Sequence, residues 1–126
     1  LAICPWNKYA QETKEIKFIN EKQEYSLLDL LRLSDQSFRV KFSKTPIKRI
    51  GRDRFIRNCC IAAGNSKSKS LIPQLENLIF NDQSELVRGA AVWAIQQLES
   101  KNNLVKIKFK HLSLELNNSV IEEWII

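Results

Sequence analysis

The side chains of this 126-residue sequence that could do chemistry are three cysteines, one histidine and an unusual concentration of arginine and lysine. Cys4 is followed by Pro5, the dipeptide with which ferredoxin-type iron–sulfur motifs end: the thiolate ligates iron and the proline turns the chain away. One thiolate cannot hold a cluster, so Cys4 carries meaning only together with other cysteines. Cys59 and Cys60 are neighbours on an expected helix. Their side chains point about 100° apart, cannot share a metal, and read as core packing. His111 falls in a stretch of ambiguous pattern, with no cysteine or carboxylate taken to stand at ligand spacing, and reads as a surface or half-buried residue rather than a catalytic one. The three glycines, Gly51, Gly64 and Gly89, are too scattered for a phosphate loop. Nucleophilic and paired-carboxylate catalysis therefore find no set of residues, and no catalytic residue is assigned.

The basic residues are a different matter. The net charge is +6, but it is not spread evenly. Between Arg39 and Arg57 lie eight basic side chains (Arg39, Lys41, Lys44, Lys48, Arg49, Arg52, Arg54 and Arg57) opposed only by Asp53, a local charge of +7; the rest of the chain nets −1. Such a patch is the footprint of a polyanion partner, because phosphates neutralised by Lys and Arg release condensed counterions. Hydrophobic residues at 44% and charged residues at 27% describe an ordinary globular chain. No apolar run approaches the roughly 18 residues of a membrane span, and the scarce cysteines suit a reducing compartment, so a cytoplasmic monomer is expected. The sequence contains no methionine and opens on Leu1, which reads as a piece of something longer.

These residues need elements to position them. Residues 1–25 show no sustained periodicity. Ser26, with Asp29 three residues on, begins a leucine-rich helix, and Asp35 to Phe42 forms a second with Phe38 and Phe42 facing the core. Thr45-Pro46 breaks the chain. Helices are expected from about Arg52 to Ala63, stopped by Gly64-Asn65; from Leu71 to Phe80; and from Ser84 to about Ser100, with Val87, Ala91, Ala94, Ile95 and Leu98 on one face. After Leu104 the alternation of Val105, Ile107 and Phe109 with lysines is strand-like, and an extension packed on the last helix or a partly disordered tail are the alternatives. Phe55–Ala63 aligns without gaps on Leu86–Ala94 at an offset of 31 residues. Helix–turn–helix units at that period imply an all-α chain of HEAT-like repeats, an α-solenoid or α-α superhelix. The expected organisation is thus 1–25, a helical repeat domain at 26–100, and a tail at 101–126.

The opening Leu1-Ala-Ile-Cys-Pro-Trp-Asn-Lys-Tyr-Ala10 resembles the end of the second iron–sulfur motif of epoxyqueuosine reductases, Cys-x2-Cys-x3-Cys-Pro-Trp-Asn-Lys. Lys44-Thr-Pro-Ile-Lys-Arg-Ile-Gly-Arg-Asp-Arg-Phe-Ile-Arg-Asn58 is similar to that family's Ser-Pro-Ile-x-Arg-x-Gly-Arg-x-x-Phe-x-Arg-Asn segment, and Ala63-Gly-Asn65, Leu86-Val-Arg88 and Ala91-x-Trp-Ala94 match its helical repeats. The resemblance covers about residues 1 to 98. It implies the C-terminal part of an enzyme that reduces epoxyqueuosine to queuosine in the tRNA anticodon loop. The family's cobalamin and two 4Fe-4S clusters are carried by domains N-terminal to this segment, and a HEAT-like domain helps hold tRNA. Carried across, Cys4 is a 4Fe-4S ligand that requires the upstream cysteines. Lys44, Lys48, Arg49, Arg52, Arg54 and Arg57 become the tRNA-binding set. A HEAT-type scaffold for an acidic protein and a HEAT-like DNA glycosylase are the alternatives.

Overall fold

The computed structural model describes residues 26–125, and Cys4 with the rest of 1–25 lies outside the described residues. Among the described residues seven α-helices follow one another: α1 (Leu27–Leu31), α2 (Asp35–Lys41), α3 (Arg52–Asn65), α4 (Ile72–Asn81), α5 (Glu85–Leu98), α6 (Lys101–Leu112) and α7 (Asn118–Glu122). Short 3-10 turns at Pro46–Ile50 and Lys69–Leu71 precede α3 and α4, and no strand occurs among the described residues. The described residues are all-α.

Local chemistry sets several of these starts. A helix leaves its first amides without intrahelical partners, and a short polar side chain just ahead can accept from one of them. Ser26 accepts from the Asp29 amide at 3.1 Å, Ser34 from Ser37 at 3.1 Å, Ser84 from Val87 at 3.4 Å and Asn117 from Val120 at 3.2 Å. Pro73 is tolerated because it falls in the first turn of α4, where its missing N–H is no loss.

Packing follows from the apolar faces. Phe38 and Phe42 of the α2 region close on Phe55 of α3, with ring centroids 5.1–5.3 Å apart. The long α3 and α5 pack side by side, and α4 lies across α5. Both copies of the nine-residue match therefore sit on neighbouring, co-directional helices. Their small residues permit a close approach: Ala63, Ala91 and Ala94 are fully buried. Gly64 takes this furthest, since a Cβ there would lie 2.5 Å from the Trp93 ring and 3.1 Å from the Ala94 Cα. This corrects the reading of Gly64 as a helix stop. The helix runs through it to Asn65, and the left-handed residue beyond the helix is Lys67 at φ 59°.

The strand-like reading of the tail is also overturned. Residues 101–112 form α6, whose core side is Leu104, half-buried Ile107 and buried His111, a helical spacing. The alternation with lysines was incidental, because Val105 and Phe109 face outward. Beyond it α7 packs on α5, so the alternative of an extension folded onto the preceding helix is the one realised. Gln96 of α5 donates to the Glu123 carbonyl at 2.8 Å and accepts from the Ile125 amide at 3.1 Å. Near the start of α5, Gly89 faces Val120 of α7. The N-termini of α3, α5 and α7 consequently share one edge of the molecule.

Candidate nucleic-acid interface

The basic segment occupies the corner between α2 and α3. A 3-10 turn has three residues per turn, so Ile47 and Ile50 fall on one side and anchor the turn against the core. Lys48 and Arg49 are thereby directed away from it and are exposed, as are Lys44 and Arg54. Between the turn and α3 stands Gly51 at φ 86°, ψ 153°, a conformation essentially closed to residues with a Cβ. It lets the chain reverse into α3 while the space around its own Cα stays open. No side chain caps α3, so its positive dipole end faces the same corner as the four exposed cations.

The remaining members of the expected set behave differently. Arg52 points inward. Its guanidinium forms a bidentate pair with Asp82 at the end of α4, at 2.7 and 3.1 Å. It also donates to the Leu33 carbonyl at 3.0 Å and to Asp53 at 3.1 Å. Burial works against its charge, but the bonds to Asp82 and Asp53 outweigh burial and hold its pKa above the ordinary arginine value. Arg57 is half-buried, with Nε and Nη2 donating to Asn58 Oδ1 at 3.1 and 2.9 Å. Arg39 pairs with Asp35 across one helical turn at 3.0 Å. Of the expected set the outward-facing cations are thus Lys44, Lys48, Arg49 and Arg54, with Arg52 bracing the corner from inside; Arg39 and Lys41, outside that set, are exposed on α2.

A second polar network, absent from the sequence reading, continues from Asp82. Its carboxylate accepts from the Ser84 amide at 3.0 Å, and its carbonyl accepts from Arg88 at 3.0 Å. Arg88 in turn makes a bidentate pair with Glu115 at 2.7 and 3.0 Å. Glu115 also accepts from the Leu116 and Asn117 amides, both at 3.1 Å, and lies 3.0 Å from His111 Nε2. Trp124 Nε1 donates to His111 Nδ1 at 3.0 Å. An indole N–H can only donate, so Nδ1 must accept and the neutral ring carries its proton on Nε2, directed at Glu115. His111 is therefore buried, not superficial, and a carboxylate does stand at helical spacing from it. Glu115 at i+4 was legible; Trp124, thirteen residues on, was not.

Burial lowers the His111 pKa, with Glu115 opposing that shift only in part. For Glu115 burial pushes upward, but the Arg88 bonds and charge, the Asn117 amide and His111 prevail and hold its carboxyl at about 2. Cys59 and Cys60 are fully buried, and burial pushes both thiols up, which makes them inert core as expected. Among the described residues no group of three His, Cys, Asp or Glu is placed to hold a metal, and no helix is long and apolar enough to cross a membrane.

No family model matches the chain. It is similar to epoxyqueuosine reductase of Xanthomonas campestris pv. campestris, 36% identical over 98 residues, which is 75% of this chain and 27% of that protein. It is likewise 34% identical over 104 residues to epoxyqueuosine reductase of Escherichia coli K12, covering 79% of this chain and 27% of that one. Among solved structures, epoxyqueuosine reductase with a tRNA-Tyr epoxyqueuosine-modified stem loop matches with a TM-score of 0.71 and 28% identity over 77% of this chain and 26% of its own. The chain spans about a quarter of the length of the curated relatives it matches.

Proposed function

We propose that this chain, similar in sequence and fold to about a quarter of an epoxyqueuosine reductase, is the tRNA-gripping portion of such an enzyme. The observation that carries the reading is the basic corner. Lys44, Lys48, Arg49 and Arg54 are exposed together around the uncapped start of α3, and all the excess positive charge of the chain is concentrated in their segment. Side chains of this kind grip phosphates and fix register without reading bases. Arg52 and Arg57 belong to the same set as positioning residues: Arg52 locks α3 onto the end of α4, and Arg57 is tied to Asn58.

The reductive chemistry is assigned to other parts of the full enzyme. A 4Fe-4S cluster needs four thiolates, and apart from Cys4 this sequence holds only the core pair Cys59 and Cys60. The residues present do not fit a cluster, so Cys4 is at most one ligand completed by upstream cysteines, and cobalamin is bound by domains this chain does not supply. Residues 1–25 are read as the end of the cluster region and 26–100 as a HEAT-like repeat domain. The chain acts as a monomer in the cytoplasm.

The test is equilibrium binding of a tRNA anticodon stem–loop to the full chain across a salt series. Replacing Lys44, Lys48, Arg49 and Arg54 together with Ala should weaken binding and flatten the dependence of log K on log salt by about 3, since each lost phosphate contact removes about 0.7–0.9. Circular dichroism confirms that the variant keeps its helices. Unchanged affinity and slope in a folded variant would refute the assignment.

A further inference from the structure

We propose that the outward stripe of α6 is a second RNA contact, in which Phe109 serves as a stacking platform for an unpaired base. This rests on the RNA reading above and adds a surface with different chemistry. The twelve residues of α6 include Lys101, Lys106, Lys108 and Lys110 and no acidic residue. Leu104 and His111 bury one side of the helix. On the other side Phe109 is 73% exposed and Val105 44% exposed, one helical turn apart. Lys106 stands one turn before Phe109 and Lys110 directly after it. The ammonium of Lys110 rests 5.1 Å from the Phe80 ring centroid, which holds that charge against α4.

Among the described residues the core takes Leu104, Ile107 and Leu112 from α6 and leaves out the Phe109 ring. A flat apolar ring flanked by cations is the pairing that binds single-stranded nucleic acid: the ring stacks on a base and the lysines meet the adjoining phosphates. The position suits the same partner. The C-terminal end of α6 leads to Glu115, which is joined through Arg88 and Asp82 to Arg52 at the basic corner. That chain of bonds ties the end of α6 to the element that carries the basic corner. A folded RNA arm offers a helical backbone at one end and unpaired bases at the other.

The experiment compares a tRNA anticodon stem–loop with a blunt duplex of the same stem, using the full chain. Phe109→Ala should weaken the stem–loop about tenfold, leave the duplex unchanged and leave the salt slope unchanged, because stacking releases no counterions. Phe109→Trp should restore binding. Lys106→Ala with Lys110→Ala should lower the salt slope by about 1 to 2. Wild-type affinity in Phe109→Ala, alongside lost affinity in the Lys44, Lys48, Arg49 and Arg54 variant, overturns the platform and leaves the basic corner standing. A wild-type chain that binds neither RNA overturns both. Equal loss for stem–loop and duplex in Phe109→Ala also overturns the platform, since it would mean a general distortion and not a base contact.

Discussion

Removing the Glu115 charge tests whether the network at the end of α6 holds the C-terminal helices in place. In the folded chain that carboxyl sits at about 2 against an ordinary 4.5. A carboxylate whose folded pKa is lowered contributes stability that is complete above the unfolded value and is lost as pH falls through the folded one. The difference corresponds to about 3 kcal/mol at pH 7, in keeping with a side chain only 3% exposed and paired with Arg88. By pH 3 about 2 kcal/mol of this has gone, because the unfolded carboxyl is already protonated. Glu115→Gln keeps the shape and removes the titration. Urea midpoints for wild type and variant, measured from pH 7 to pH 3, should therefore converge, with the gap shrinking from about 3 to about 1 kcal/mol. His111 adds a separate slope. Its folded pKa is lowered, so wild type loses stability as pH falls below about 6.5, the unfolded value. Protonation would also put an N–H on Nδ1 facing the Trp124 donor. A gap between wild type and Glu115→Gln that stays constant with pH would refute the argument.

Two further outcomes are expected. Arg52→Ala leaves the Asp82 carboxylate, 7% exposed, without its bidentate partner, and should cost about 3 kcal/mol in urea unfolding. Arg52→Lys should recover only part of that, because an ammonium cannot reproduce the fork, and full recovery would contradict the geometry. Gly64→Ala gains about 1 kcal/mol in helix propensity but drives a methyl into Trp93 and the Ala94 backbone. A net loss of about 1–2 kcal/mol is expected from the overpacking, and an equal or higher melting temperature would refute the close contact of α3 with α5.

Much of this was legible because the signals are local. The caps at Ser26 and Ser84, the break at Thr45-Pro46 and the buried face from Val87 to Leu98 are short-range consequences of side-chain chemistry. The misreading of Gly64 and the open choice at the tail have a shared reason. A glycine near a helix end looks the same whether it caps the helix or admits a neighbour, and Trp93 is 29 residues away. The alternation after Leu104 looks like a strand until α6 has a neighbour that selects Leu104, Ile107 and His111 as its buried side.

Sequence alone thus determined the all-α character and the concentration of positive charge between Arg39 and Arg57, since composition and periodicity do not depend on which surfaces meet. Tertiary structure decided how that charge divides. Lys44, Lys48, Arg49 and Arg54 face outward because Ile47, Ile50 and Gly51 turn them there. Arg52 faces inward because the end of α4 brings Asp82 within 2.7 Å of it, a meeting of residues thirty positions apart that only the packed chain creates.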